Sequence, residues 1–206
     1  MTLALLYADE ALVAVDKPAG MLSVPGRGEG KRDCAALRVQ AQFPDALIVH
    51  RLDMATSGIL LFARGAAVQR QLSIAFAQRE VHKRYVAVVH GLVEHEAGEI
   101  DLPLVADWPN RPKQKVDAAH GKPSLTRWQR LDFDTVTGRS RLGLEPVTGR
   151  SHQLRVHLQA IGHPIVGDAL YGPDDGAARL LLHACELVLP HPADGHSLVL
   201  CSAVPF

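Results

Sequence analysis

Apolar residues recur along this chain with two spacings, and the spacing predicts the elements. Val68, Leu72, Ala75 and Phe76 fall at i, i+4, i+7 and i+8, one stripe of a helix over about 66–79 with arginines on its other side. Ile59-Leu60-Leu61-Phe62-Ala63 is instead a short unbroken run rich in large side chains, as a buried strand presents. Lys83-Arg84-Tyr85-Val86-Ala87-Val88-Val89-His90-Gly91 is rich in β-formers and closes at glycine, which predicts another strand. Leu3 to Lys17 reads as strand, turn, strand, ended by Lys17-Pro18-Ala19-Gly20. Further strands are expected at 99–104, 124–133 and 139–145, and the C-terminal part alternates Leu/Val strands with Pro-Gly turns. Two more helices are expected. One runs from Asp33, its N-cap candidate, to Phe43, where Pro44 stops it; the other starts near Ser151 and ends at about Ala160, before Gly162 and Pro164.

Strands outnumber helices and are not strictly interleaved with them, so the expected class is α+β, built on a large mixed or antiparallel sheet rather than a doubly wound one. The 206 residues suit one domain or a tight pair of subdomains. With 47% of residues apolar and no repeat or low-complexity run, the chain suits a packed core. Met1-Thr2-Leu3-Ala4-Leu5-Leu6 lacks a basic flank, and Asp9 and Glu10 cut the apolar run short, so a soluble, cytoplasmic protein with no membrane partner is expected. Cys34, Cys185 and Cys201 are odd in number, widely spread and without a C-x-x-C, which predicts reduced packing cysteines.

Charge changes the picture through its distribution, because the formal net charge is zero. Residues 64–84 hold five Lys/Arg against one acid, and residues 108–155 hold ten against four. Residues 85–107 hold five acids and no Lys/Arg, and residues 156–206 hold five acids and one. If the two basic segments converge they form a positive face that neutralises phosphates and steers RNA; otherwise they are ordinary solvated faces.

The richest candidate for chemistry is His50-Arg51-Leu52-Asp53-Met54-Ala55-Thr56-Ser57-Gly58, which leads straight into the buried run at Ile59. A carboxylate, Asp53, follows a cation and precedes a Thr-Ser-Gly turn, on a loop that a core strand can aim. Asp also bonds turn backbone, so the residues alone leave both roles open.

The pattern H-R-L-D-x-x-T-S-G followed by a hydrophobic strand resembles the catalytic motif of the RluA-type pseudouridine synthases. Val15-Asp16-Lys17-Pro18-Ala19-Gly20-Met21, with Val24-Pro25-Gly26, is similar to the family's K-P-x-G segment. Gly149-Arg150-Ser151-His152-Gln153-Leu154-Arg155-Val156-His157 resembles its G-R-[ST]-H-Q-[IL]-R-V-H motif. All three stand in the family's order, and the resemblance runs from about residue 6 to the C-terminus. It implies the pseudouridine synthase fold: a long bent sheet with packed helices and a central RNA-binding cleft. Many relatives carry an N-terminal, S4-like RNA-binding domain before K-P-x-G. Here that segment begins by residue 15, so a single catalytic domain, residues 1–206, is expected to bind RNA by itself, as a monomer.

Converting uridine to pseudouridine breaks the N-glycosidic bond, rotates the uracil and rejoins it through C5. Nothing is oxidised and no group is added, so neither redox cofactor nor metal is required. The resemblance assigns the ionised group to Asp53, which would attack C1′ or remove a sugar proton. Its charge partner is implied to be Arg155, whose planar fork matches a carboxylate. Tyr85, in a segment similar to the family's K-x-Y-x-A, would stack on the extruded uracil and help move the C5 proton. Extrusion costs a few kcal/mol, and Arg51 is the candidate to enter the vacated space. Leu182, in Arg179-Leu180-Leu181-Leu182-His183-Ala184, resembles the apolar wall against the base.

His50 and Thr56 of the first motif and Arg150, His152 and Gln153 of the last are further expected RNA contacts. So are Arg111, Lys113 and Lys115, in Asp107-Trp108-Pro109-Asn110-Arg111-Pro112-Lys113-Gln114-Lys115-Val116, where cations, prolines and an aromatic suit looped RNA. This segment also resembles the subgroup acting on stem-loops of large-subunit ribosomal RNA and of tRNA anticodon arms. Two histidine pairings do not fit a metal motif: His152 and His157 lie about 140° apart around a helix, and His95-Glu96 is not followed by x-x-His. The rival reading is an RNA-binding or ribosome-assembly module without catalysis.

Overall fold

The computed structural model describes residues 3–26 and 32–206. It divides into two compact units, one of residues 1–83 and 183–205 and the other of residues 84–182 with Phe206.

The first unit is built on a mixed sheet. β1 (Ala4–Ala8) and β2 (Leu12–Lys17) form a hairpin, and β2 pairs antiparallel along Gly58–Ala63 of β4 (Ser57–Arg64). Two strands share the opposite edge of β4. β3 (Ala46–Ile48) pairs antiparallel with Phe62–Arg64, and β11 (Leu182–Pro190) runs parallel beside Ser57 and Gly58. β12 (Ser197–Cys201) completes a hairpin with β11.

The run Ile59–Ala63 is buried on both faces, which is why it reads as continuous rather than alternating. Ile59, Leu61 and Ala63 meet Leu72 and Ala75 of α2 (Ala66–Gln78) in a core that also takes Leu12, Ala14, Leu187 and Leu189. Val68 and Phe76 pack at its margin, so the predicted helical stripe faces the sheet.

Helix α1 (Ala35–Gln40) departs from expectation at its start. Its N-cap is Cys34, in extended conformation, and not Asp33. The first helical N–H groups need no side-chain cap because the chain before them supplies carbonyls: Ala35 N–H donates to Leu22 O at 2.8 Å and Ala36 N–H to Ser23 O at 3.1 Å. Asp33 instead forms a two-pronged ion pair with Arg38.

The second unit carries an antiparallel sheet in the order β5 (His82–His90), β10 (Arg139–Pro146), β9 (Leu125–Asp134) and β6 (Ala97–Asp101). Burial alternates along β10, with Ser140, Leu142, Leu144 and Pro146 inward, the signature of a strand with one covered face. The single strand expected at 99–104 is two. Pro103 lacks the N–H that a ladder needs, and the chain leaves β9 there to form β7 (Leu104–Ala106), which pairs with β8 (Gln114–Val116) in a separate hairpin. Helix α3 (Gln153–Ala160) buries Gln153 through Leu158, and His152 precedes it with a left-handed φ of 55°. No helix of the described residues is long and apolar enough to cross a membrane.

Candidate active site

In the first unit the site is the loop between β3 and β4. Asp53 is half-buried at its bend, and Thr56 N–H closes the turn onto Asp53 O at 3.1 Å. Both residues flanking Asp53 are tied to the Lys17–Ser23 segment. Ser23 Oγ donates to Leu52 O at 2.7 Å and accepts from Leu52 N–H at 3.1 Å. Met54 O accepts from Gly20 N–H at 2.8 Å and from Lys17 Nζ at 3.3 Å. Lys17 is 0% exposed, and its Nζ also donates to Pro18 O and Met21 O. A buried cation must be solvated by fixed oxygens, and here carbonyls do so while stitching the two loops together. Gly20 adopts φ +84°, a conformation that glycine reaches without strain.

Other letters of this motif do structural work. His50 Nε2 accepts Leu61 N–H at 3.0 Å, filling the stretch of the β4 edge between the β3 and β11 pairings, and its ring stacks on Phe76. Burial, helped by the positive charge of Lys83, holds its pKa down at about 4, so the ring is neutral at physiological pH. Ser57 Oγ lies 2.8 Å from His183 Nδ1, and His183 Nε2 lies 3.0 Å from Ser202 Oγ. A Cβ at Gly58 would sit 2.2 Å from Ala184 O, so the motif's glycine permits β11 to approach β4. Thr56 is buried, whereas Arg51 and Met54 are exposed.

In the second unit Arg155 is buried on α3 and held by a carboxylate that sequence reasoning missed. Arg155 Nε donates to Asp168 Oδ2 at 2.8 Å and Nη2 to Asp168 Oδ1 at 2.6 Å, and the Asp168 side chain is 0% exposed. Asp168 Oδ1 also accepts from Leu170 N–H and Tyr171 N–H. The guanidinium carbon lies 5.1 Å from the centroid of Tyr171. The only sequence signal for Asp168 is an acid set between Gly167 and Tyr171 in a loop, 13 residues after the arginine it holds.

Tyr171 OH lies 2.6 Å from His152 Nδ1 and accepts Gln114 N–H at 2.7 Å, so one hydroxyl joins the start of α3 to β8. Gln153 is turned inward. Its Oε1 accepts from Thr148 Oγ1 and Arg150 N–H, and its Nε2 donates to Leu125 O and Thr126 Oγ1. His157 is buried between Thr126 Oγ1 and Leu102 O, and burial lowers its pKa. Leu182 is buried at the first position of β11, and Tyr85 is half-buried on β5 opposite Leu144.

The cations of residues 108–155 differ in what holds them. Arg155 is interior and Arg127 pairs with Glu99 at 2.9 Å. Arg130 Nη1 donates to Val93 O, and Arg141 Nη1 to Phe206 O. At the β7–β8 turn, however, Trp108 is 66% exposed with the Arg111 guanidinium 3.1 Å above its ring, and Lys113 and the exposed Lys115 follow. Arg150 is exposed beside Pro123 O.

The first unit thus holds Asp53 on a turn clamped at both neighbours, and the second holds Arg155 buried on α3 against Asp168. The chain belongs to the RNA pseudouridylate synthase family, whose model matches residues 11–160, and is an isomerase of that family. It is 47% identical over 207 residues to the dual-specificity RNA pseudouridine synthase RluA of Escherichia coli (strain K12), covering 99% of this chain and 94% of that one. The Vibrio cholerae protein of the same name is 50% identical over 190 residues, 91% of this chain and 77% of its own. Among solved structures, human RNA Pseudouridylate Synthase Domain Containing 1 superposes with a TM-score of 0.82 at 28% identity, covering all of this chain and 84% of that one.

Proposed function

We propose that this chain isomerises particular uridines of stem-loop RNA, in large-subunit ribosomal RNA, the tRNA anticodon arm or both, with Asp53 as the catalytic carboxylate. In the reaction N1–C1′ breaks, C5–C1′ forms, the C5 proton leaves and N1 gains a proton. Asp53 acts on the sugar, Arg155 supplies the opposite charge, and Tyr85 stacks on the base and takes part in moving the C5 proton. Arg51, exposed and two residues before Asp53, enters the space the base vacates, and Leu182 walls the pocket. Trp108 with Arg111, Lys113 and Lys115, together with Arg150, contact the RNA outside the target nucleotide. The protein works as a monomer in the cytoplasm.

The observation that carries this reading is the clamp on Asp53. Hydrogen bonds from Ser23, Gly20 and Lys17 hold the residue before it and the residue after it, and a turn that only displayed a polar side chain would not need them. That the relatives named above are dual-specificity enzymes supports the two classes of RNA. The test replaces Asp53 with Asn and measures tritium release from RNA labelled at uridine C5, alongside RNA binding. Release should be lost while binding is largely kept; a mutant that still turns over would refute the assignment, and a wild-type protein that binds RNA without releasing tritium would favour the assembly-module reading.

A further inference from the structure

Away from the Asp53 loop, the connection between β11 and β12 reads His191-Pro192-Ala193-Asp194-Gly195-His196. Its backbone is closed by His191 N–H to His196 O at 2.8 Å and by Gly195 N–H to His191 O at 2.7 Å. Closure brings the two imidazoles into a stack with centroids 4.8 Å apart. Asp194 Oδ1 then lies 2.6 Å from His196 Nδ1 and 3.6 Å from His191 Nδ1. One donor atom from each of the three residues falls within 4.8 Å of the others.

The histidine at the base of this group is oriented from behind. The His191 side chain is 6% exposed, and its Nε2 lies 2.8 Å from Asp9 Oδ2. Asp9 is itself fixed by Ala11 N–H and Leu12 N–H on Oδ1 and by Tyr7 OH on Oδ2. With Nε2 turned to Asp9, Nδ1 is left on the side of Asp194, 3.3 Å from Ala193 N–H. A carboxylate behind a histidine that offers its other nitrogen is the arrangement that orients histidines at metal centres.

We propose that His191 Nδ1, His196 Nδ1 and Asp194 form a binding site for a divalent cation of the zinc type, which pins the β11–β12 turn to Asp9 on the β1–β2 turn. Two imidazoles and a carboxylate suit Zn²⁺ and leave a fourth position for water. Bonds of about 2.1 Å bring the donor atoms closer together than they stand now. Asp194 and His196 have more than half of their side chains exposed and can rotate to meet the ion, while His191 is already in place. His196 gives up its Nδ1 hydrogen bond to Asp194 and carries its proton on Nε2 instead. The site serves structure and takes no part in the isomerisation, which needs no metal.

The experiment uses the full, untagged chain and Zn²⁺ alone, followed by isothermal titration and by thermal unfolding with and without the ion. One equivalent should bind saturably and raise the melting temperature. Asp194→Asn and His196→Ala, both exposed positions whose replacement leaves the core intact, should each weaken binding about tenfold or more and abolish the thermal shift. Asp9→Asn, which touches no metal-binding atom, should weaken it by about tenfold as loss of an orienting carboxylate does. Tritium release from RNA should be the same with Zn²⁺ or with chelator. Absence of a saturable equivalent overturns the proposal, as does binding that His196→Ala and Asp194→Asn leave unchanged, since the ion would then sit on other histidines.

Discussion

Replacing Asp168 by Asn tests whether the interior guanidinium depends on its carboxylate. The two side chains have nearly the same shape, so the change is one of charge and of one donor for one acceptor. Asp168 Oδ1 receives three donors, Arg155 Nη2, Leu170 N–H and Tyr171 N–H, whereas Oδ2 receives Arg155 Nε. The amide oxygen of Asn must therefore keep the Oδ1 position, which turns its NH₂ toward the Nε–H. Donor then faces donor, and the buried cation loses this counter-charge. Removing one partner of a buried pair costs about 3–5 kcal/mol, against a total of about 5–15 kcal/mol for a typical domain. Equilibrium urea unfolding should show a loss of about 3 kcal/mol with the denaturant slope unchanged. Under native conditions tritium release should fall by at least about tenfold, while RNA affinity changes far less, because a displaced Arg155 fails in the chemistry rather than in binding. A stability loss below about 1 kcal/mol with full turnover would show that the pair is dispensable and would refute the reasoning.

Three other expectations follow from particular contacts. Gly58→Ala puts a methyl 2.2 Å from Ala184 O at a φ of +115°, so the parallel β4–β11 pairing must open; a sharp drop in melting temperature or in soluble yield checks this, and normal stability would contradict it. His50 titrates at about 4 in the folded chain against 6.5 ordinarily, because burial disfavours its charged form. The unfolded chain thus takes up a proton that the folded one refuses, so the contribution is intact above pH 6.5 and declines as pH falls toward 4, by at most about 3 kcal/mol. His50→Gln, which keeps an acceptor for Leu61 N–H and removes the titration, should flatten stability against pH in that window; an unchanged slope would assign it to other groups. Lys113→Ala with Lys115→Ala should reduce the slope of log affinity against log salt by up to about two and leave release at saturating RNA unaltered, and an unmoved slope would remove the β7–β8 turn from the interface.

What the sequence revealed and what it hid divide along a physical line. Period and turn chemistry act within an element, so the α2 stripe, the continuous β4 run and the strands flanking them were legible, as was the stop of α3 before Gly162. The cap of α1 was not, because its acceptors are the backbone carbonyls of Leu22 and Ser23, more than ten residues upstream and carrying no side-chain signature. Asp168 escaped for the same reason: its meeting with Arg155 depends on the path of the loop after α3, which no spacing rule encodes. A charge count along the chain says less, because it cannot tell Arg155, buried on Asp168, from an exposed arginine such as Arg127 or Arg150.

The first motif sharpens the point. A reader of His50-Arg51-Leu52-Asp53-x-x-Thr56-Ser57-Gly58 assigns chemistry to its letters, yet four of the seven serve geometry. His50 completes the β4 edge, Leu52 is buried with its backbone on Ser23, Ser57 meets His183, and Gly58 makes room for Ala184. Lys17, the cation of the separate K-P-x-G segment, donates to Met21 O of its own segment and to Met54 O of this loop. What such a motif encodes is therefore chiefly a direction: a rigid edge and a clamp that leave Arg51 exposed and Asp53 half-buried. On the proposed reading, in which Asp53 acts on the sugar of an extruded uridine, that aim must be held to a fraction of an ångström, and supporting one carboxylate so tightly takes many more residues than the carboxylate itself.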